Sequence, residues 1–148
     1  MDLSSIKQLR EETGAGVMDA KNALDSCGGD ISKAKEFLRA KGLEKAGKKS
    51  EREIKSGRVF SYIHGGGKVG AIIKLGCETD YVAKNEMFEK LGNEVAMQVA
   101  AMAPENVEQL LEQAYIRESG KTISELVKEA ISTIGENITI SEISRLSV

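Results

Sequence analysis

The segment from Cys77 to Asn85 places an acidic side chain beside an aromatic ring, Asp80 and Tyr81, where a predicted strand leads into a predicted helix. At such a junction, neither side chain has an obvious place in the packing of the core. A structural account is available, because Thr79 can cap the helix and Asp80 can favour its positive N-terminal end, with Tyr81 half buried. On these residues alone, that account and contact with a partner molecule stand equally well.

Other motifs that could support chemistry lack the context that the chemistry needs. Gly14-Ala15-Gly16 follows a helix instead of a strand and lacks the third glycine of a dinucleotide fingerprint. Gly65-Gly66-Gly67 precedes a strand, not a helix whose N-terminus would hold phosphate. His64 is the only histidine, and it has neither a nucleophile arrangement nor further metal ligands around it. We therefore expect no catalytic set, no metal and no cofactor, and predict that the protein is not an enzyme.

The composition also excludes several classes of protein. A net charge of −2 with 30% charged residues describes an ordinary soluble surface, without the basic footprint of a nucleic-acid-binding protein. Cys27 and Cys77 have neither metal-ligand spacing nor a secretory context, which favours reduced thiols. No apolar run approaches the roughly 18 residues that span a bilayer, and no signal peptide is apparent. We expect a cytoplasmic protein with no direct nucleic-acid or membrane partner.

The elements that carry these residues begin with three short helices, each ended by glycine. Asp30 can cap the third helix, and Gly42 is predicted to end it. A bundle with so few large apolar residues is similar to ubiquitin-associated domains and would be marginal alone. We predict a helical domain over residues 1–42 and a charged linker over 43–56. The apolar stripes are Leu3, Ile6 and Leu9; Val17, Ala20 and Leu24; and Ile31, Ala34 and Leu38.

The apolar period changes to two after Gly57, which indicates a sheet. Two alternating runs, over residues 59–63 and 69–75, flank a glycine triplet that suits a tight hairpin. The second run leads into the junction at Thr79. The sequence therefore places the acid–aromatic pair directly after a strand of a small antiparallel sheet.

The remainder of the predicted α+β core, residues 57–148, consists of two amphipathic helices and a third strand. The first helix is ended by Pro104, and residues 105–121 are predicted to be a short helix and a connection. Thr122 and Glu125 fit a capping box that opens the second helix, and Gly135 suits the left-handed turn that ends it. A last strand starts at Ile138, with a bulge or strand end expected at Glu142-Ile143. The fold class is α+β: a three-helix bundle followed by a small antiparallel three-stranded sheet packed with helices.

Three segments together resemble the elongation factor Ts family: residues 77–85, residues 13–19, and Ile134-Gly135-Glu136-Asn137-Ile138. The resemblance runs along almost the whole chain in the expected order. It implies a guanine nucleotide exchange factor that acts on the translational GTPase elongation factor Tu, in its GDP-bound and nucleotide-free forms. In that family the acid–aromatic pair enters the GTPase between helices beside the magnesium and phosphate site, a role that the resemblance assigns to Asp80 and Tyr81.

The resemblance also implies that the helical domain grips the GTPase's nucleotide-binding domain. Val17 and Met18 are adjacent, so a helix cannot bury both on one narrow face, and with Arg10 they form a candidate docking patch. Gln98 interrupts the apolar stripe of the long helix at a place where relatives often carry His. A partly exposed edge position without a role is the alternative for Gln98. The expected partner contacts are Asp80, Tyr81, Thr79, Val82, Arg10, Val17, Met18 and Gln98.

The chain departs from the family pattern at several of these positions. Relatives commonly carry Phe where this chain has Tyr81, and Met-Met where it has Val17-Met18. The ring survives at Tyr81, although its hydroxyl needs a partner or water. Relatives usually follow the glycine-containing segment with a basic pair, whereas this chain has Ser141-Glu142. Whatever contacts that pair makes in the family are therefore in question here.

The chain carries one copy of the α+β core and lacks a helical insertion between Pro104 and the segment around Tyr115. In this respect it resembles compact family members that pair as homodimers, so we expect a homodimer that uses the edges of the sheet.

Two other classes of function remain open. A helix- or peptide-binding adaptor would use residues 1–42 alone, and an RNA-binding protein would use the sheet together with Lys48 and Lys49, with a steep salt dependence.

Overall fold

The computed structural model of the chain describes residues 2–148. It confirms the predicted fold class, since N-terminal helices are followed by an antiparallel three-stranded sheet packed with helices. The helices and strands are α1 (Leu3–Thr13), α2 (Val17–Ser26), α3 (Ile31–Lys49), β1 (Ser56–Ile63), β2 (Val69–Cys77), α4 (Asp80–Ala83), α5 (Glu86–Met102), α6 (Val107–Glu112), β3 (Ala114–Tyr115), β4 (Glu118–Thr122), α7 (Ile123–Ile134) and β5 (Thr139–Ser147).

The N-terminal bundle has a core that is small and rich in alanine. Its buried residues are Leu9, Ala20, Ala23, Leu24 and Ala34. Of the predicted stripe on α1, Leu9 is buried, whereas Leu3 is 81% exposed. The predicted cap of α3 is confirmed, because the Asp30 side chain accepts a hydrogen bond from the Lys33 backbone N–H at 3.0 Å. The bundle therefore rests on few large apolar contacts.

The prediction that α3 ends at Gly42 was wrong, since the helix continues to Lys49. Gly42 faces α7 closely enough that a Cβ atom built on it would lie 3.1 Å from Ser132 Oγ. A glycine inside a helix is tolerated where a neighbouring element approaches its backbone. Ala46, one turn further on, is buried in the core of the sheet domain. The residues assigned to a charged linker thus include the last two turns of α3.

The three-stranded sheet has the order β1-β2-β5 and is antiparallel throughout. The predicted hairpin is confirmed, with a short 3₁₀ turn at Gly65–Gly67 between β1 and β2. The register of β5 against β2 shifts between Ile140 and Glu142, which leaves Ser141 as the extra residue. This bulge lies one residue before the predicted position, and the strand continues to Ser147.

The main core lies between this sheet and helices α5 and α7. Phe60 packs against Phe88 with ring centroids 5.8 Å apart, and Gly92 lets α5 approach so closely that a Cβ atom there would meet the Phe60 ring. The predicted start and end of α7 are confirmed: the Thr122 side chain accepts from Glu125 N–H, and Gly135 has a φ of 90°. These contacts hold the sheet, α5 and α7 around one core.

The β3–β4 hairpin was not predicted, because residues 105–121 were interpreted as a short helix and a connection. The helix is present as α6, and the two strands follow it. β3 has only two residues and β4 is largely polar, so neither shows the alternation that identifies a strand in a sequence.

Candidate partner-binding site

Tyr81 and Asp80 lie on α4, a single helical turn directly after β2. The Tyr81 side chain is 83% exposed, and Asp80 is also exposed. The next two residues, Val82 and Ala83, are buried in the main core and hold the turn in place. The expectation from core packing that Tyr81 is half buried was therefore wrong, whereas the predicted cap is present: Thr79 Oγ1 accepts from Val82 N–H at 3.3 Å. We call residues 79–81 the tip.

A carboxylate from a distant part of the chain braces the tip. Glu136 Oε1 accepts hydrogen bonds from the backbone N–H groups of Glu78, at 3.1 Å, and Thr79, at 3.0 Å. Glu136 Oε2 accepts a third bond from Thr79 Oγ1 at 2.7 Å. Bonds to a charged acceptor are stronger than neutral ones, so this loop is held more firmly than its surface position alone would suggest.

The brace is reciprocal and extends to a third segment. Glu78 Oε1 accepts from the Asn137 backbone N–H at 2.7 Å. The side chain of Asn137, which is buried, donates to the carbonyl groups of Arg52 at 2.8 Å and Ser50 at 3.3 Å. The loop after β2, the turn after α7 and the connection before β1 are thereby joined in one hydrogen-bonded network.

Two further side chains, both on β1, support the tip. Ser56 Oγ donates to Asp80 Oδ1 at 2.5 Å, which holds the carboxylate in one orientation. Arg58 donates to the Ala83 carbonyl at 3.4 Å, at the C-terminal end of α4. Below the tip, burial raises the pKa of the Cys77 thiol, and the negative charge of Glu136 raises it further. Cys77 therefore stays a neutral thiol and packs as a small apolar residue.

The second predicted group of residues comes together on the N-terminal bundle. Val17 and Met18 occupy the first turn of α2 and are 50% and 63% exposed. Arg10 Nε donates to the Ala15 carbonyl at 3.3 Å, which places the guanidinium at the loop that leads into α2. Arg10, Val17 and Met18 thus form one exposed surface, which we call the bundle patch.

Gln98 was expected to contact a partner, with a partly exposed edge position as the alternative, but its side chain is 0% exposed. Its Nε2 donates to Gln113 Oε1 at 3.2 Å and to the Ala114 carbonyl at 3.1 Å, and its Oε1 accepts from the Ile116 N–H at 3.1 Å. The amide anchors the β3–β4 hairpin to α5 and offers no surface to a partner. Val82 is likewise buried, so it supports the tip from inside.

Glu136 and Ser56 are the residues that the sequence did not identify as part of the site. Glu136 stands in the glycine-containing segment that carries part of the family resemblance, yet no role at the site was predicted for it. Its partners lie 57 and 58 positions away, a distance over which one sequence gives no pairing signal. Ser56 is 24 positions from Asp80 and is a common residue type in any strand.

The described residues contain neither a metal cluster nor a membrane-spanning helix. Within residues 2–148, no group of three or more His, Cys, Asp and Glu side chains is arranged to hold a metal ion. None of the helices in that range is both long enough and apolar enough to cross a bilayer. Among the described residues, the tip is braced by hydrogen bonds and the bundle patch is a separate group of exposed side chains.

Comparison with known proteins identifies the family. A family model described as elongation factor TS matches residues 78–148. The chain is 41% identical to elongation factor Ts of Leptospira biflexa serovar Patoc, over 97% of this chain and 95% of that protein. It is 37% identical to elongation factor Ts of Fervidobacterium nodosum, over 100% and 99% of the two chains. The chain therefore belongs to the elongation factor Ts family.

These alignments also show that the relatives contain residues that this chain lacks. They extend over 188 and 195 positions, more than the 148 residues of the chain. The expected location of the missing segment, between Pro104 and Tyr115, stays a prediction. In the structure these two residues are separated by α6 and the start of β3.

Proposed function

We propose that this protein promotes GDP release from elongation factor Tu, acting as a guanine nucleotide exchange factor in protein biosynthesis. Membership of the elongation factor Ts family supports the choice of partner. The observation that carries the mechanism is the 83% exposure of Tyr81 on a turn whose next two residues are buried. A tyrosine ring held on a fixed turn offers a partner a large apolar surface, and Tyr is enriched at protein interfaces for this reason. The proposal includes no cofactor and no chemical reaction catalysed by the protein itself.

The proposed action of the tip is that of a wedge. An aromatic ring inserted between helices of the GTPase stabilises an arrangement that binds magnesium and phosphate poorly. The Asp80 carboxylate, brought near the bound phosphates, disfavours them further by like-charge repulsion. The factor binds the empty GTPase more tightly than the nucleotide-bound form. Thermodynamic linkage then requires that the nucleotide binds the factor–GTPase complex more weakly, by the same difference in free energy. Release is accelerated because factor, GTPase and nucleotide pass through a short-lived ternary complex.

The bundle patch would supply affinity in this scheme. We propose that Arg10, Val17 and Met18 dock on the nucleotide-binding domain of the GTPase, with the helical domain spanning residues 1–42 and the α+β core residues 57–148. Exposed Met and Arg side chains are common in such contacts. Thr79 contributes at the edge of the tip, while Val82 and Gln98 act from the interior by supporting the tip and the β3–β4 hairpin.

We also propose that the protein forms a homodimer through its sheet, by the exposed face of the sheet instead of the edges that were expected from the sequence. The face of the sheet opposite the core exposes Val59, Ile63, Ile72 and Leu146. The register aligns Ile63 and Leu146 on either side of Gly70, so these side chains share one surface. A second copy of the same face would cover this patch symmetrically. Equilibrium sedimentation that shows only monomer at micromolar concentration would contradict the dimer.

The exchange function is tested by the release of fluorescent GDP from elongation factor Tu. The intact chain should accelerate release, and Tyr81→Ala should reduce the maximal rate by about thirtyfold or more, as expected for loss of a central aromatic contact. Asp80→Ala should give a smaller loss. Tyr81→Phe is the matched control, because it keeps the ring and should stay close to the intact chain. Equal rates for the intact chain, Asp80→Ala and Tyr81→Ala would reject the wedge.

The alternatives raised by the sequence give different results in binding experiments. An RNA-binding protein should lose affinity steeply with salt and depend on Lys48 and Lys49 more than on Tyr81. In the structure Lys48 Nζ lies 3.5 Å from Glu44 Oε1, so part of its charge is already offset. An adaptor that used the bundle alone should be indifferent to every substitution at the tip.

A further inference from the structure

The network around Glu136 explains how an exposed ring can act as a rigid wedge. A single helical turn has little stability of its own, because it forms few internal hydrogen bonds for the residues it fixes. α4 has only four residues. Its conformation must therefore be imposed from outside, by the buried side chains that follow Tyr81 and by the hydrogen bonds that precede it.

The Thr79 hydroxyl links the two sides of this support. It donates its proton to Glu136 Oε2 at 2.7 Å and accepts from the Val82 N–H at 3.3 Å. A hydroxyl has one proton and two lone pairs, so both bonds can be present together. Glu136 thereby fixes the direction in which the Thr79 oxygen points, and with it the cap of α4. The same carboxylate holds the backbone N–H groups of Glu78 and Thr79.

We infer that Glu136 is a positioning residue for nucleotide exchange: it sets the orientation of Tyr81 and Asp80 without contacting the GTPase. This inference rests on the proposed function and assigns to the segment Gly135-Glu136-Asn137 a part in it beyond ending a helix. A wedge acts through a fixed geometry, and small misplacement of a positioned group can reduce a rate as strongly as its removal. The carboxylate matters because it accepts three bonds at once, which no neutral residue in that position can do.

The test separates the rate of exchange from affinity. Glu136→Ala should lower the maximal rate of GDP release about tenfold, with little change in the concentration of factor that gives half-maximal acceleration. Glu136→Gln should recover part of the loss, since its amide oxygen can still accept from the two backbone N–H groups. Glu112→Ala removes the same charge from an exposed position on α6 and should behave like the intact chain.

A second pair of substitutions tests the link through Thr79. Thr79→Val removes the hydroxyl and keeps the shape of the side chain, so it should reduce the maximal rate, but by less than Glu136→Ala, which also loses the two bonds to backbone N–H groups. Thr79→Ser restores the hydroxyl and should rescue the rate. Combining Thr79→Val with Glu136→Ala should cost less than the sum of the two losses, because both remove the bond between the Thr79 hydroxyl and Glu136.

Amide hydrogen exchange of the free chain gives a measurement that needs no partner. In Glu136→Ala the N–H groups of Glu78, Thr79 and Val82 should exchange faster, while those of β2 and α5 keep their protection. Unchanged exchange at these three groups would overturn the inference. So would full GDP release by Glu136→Ala when Tyr81→Ala is impaired, a result that leaves the proposed function standing. Failure of the intact chain to accelerate release would reject both.

Discussion

The tip and the bundle patch both expose apolar side chains, but the molecule supports them in different ways. Tyr81 stands on a turn held by the main core and by the charged hydrogen bonds of Glu136. Val17 and Met18 stand on a helix whose buried neighbours are two leucines and three alanines. A strongly supported ring is suited to forcing a partner apart, whereas a lightly supported patch can adjust to a surface. The two surfaces should therefore contribute differently, the tip to rate and the patch to affinity.

The largest expected effect compares equal truncations in the two cores. Leu24 and Leu75 are both fully buried, one in the bundle and one in the sheet domain. Replacement of either by Ala should cost about 2–5 kcal/mol. The bundle has few other large buried side chains, so Leu24→Ala should cause local unfolding of residues 3–30. Leu75→Ala should instead lower the stability of the whole sheet domain. Hydrogen exchange resolved by segment distinguishes the two outcomes.

The matched control for this pair is Leu3→Ala. Leu3 is 81% exposed, so its replacement should change stability by no more than about 0.5 kcal/mol. In the release assay Leu24→Ala should require more factor for half-maximal acceleration and still reach nearly the full rate. If Leu24→Ala instead reduced protection equally in the bundle and in β1, β2 and β5, the two cores would form one cooperative unit and the comparison would fail.

A structural feature of this protein could be predicted from the sequence where the residues that determine it lie close together along the chain. The caps at Asp30, Thr79 and Thr122 and the helix end at Gly135 were predicted because each depends on residues within one turn. The hairpin of β1 and β2 followed from the period of apolar residues around a glycine triplet. The sequence also identified the tip and the patch as candidates, through family resemblance more than through residue chemistry.

What the sequence could not predict is contact between distant segments. Gly42 was taken as a helix end because its partner, Ser132, is ninety positions away along the chain. Gln98 was expected to contact a partner or to lie at a partly exposed edge, yet here its side chain is buried and the backbone of β3 satisfies its amide. The three hydrogen bonds to Glu136 likewise join segments that are far apart in the sequence. In each case a polar or small residue has a role that only the fold reveals.

A smaller effect is expected when the bundle patch is truncated. Val17→Ala combined with Met18→Ala should raise the concentration of factor for half-maximal GDP release about tenfold, or about 1.4 kcal/mol, because apolar contact area is lost. The maximal rate should not change, since the tip is intact. Lys21→Ala, an exposed residue on the same helix, is the control. A loss of maximal rate with unchanged half-maximal concentration would show that the patch takes part in the wedge.

The smallest effect is expected at Ser56, which orients one half of the tip. Ser56 Oγ donates to Asp80 Oδ1 at 2.5 Å, but Asp80 is exposed, and water can replace most of what the hydroxyl supplies. Ser56→Ala should therefore reduce the maximal rate only about two- to fourfold, a loss below about 1 kcal/mol. Ser119→Ala, on the exposed β3–β4 hairpin, should have no effect on release.

The size of the Ser56 effect distinguishes two ways in which the tip could act. If the ring of Tyr81 is the wedge, support for the backbone of α4 matters more than support for the carboxylate, and Glu136→Ala should be worse than Ser56→Ala. If the carboxylate of Asp80 did most of the displacement, Ser56→Ala would approach the cost of Asp80→Ala itself. Measured side by side at saturating factor, the ranking Tyr81→Ala, Glu136→Ala, Ser56→Ala supports the ring, and a reversal of the last two would assign the main role to the carboxylate.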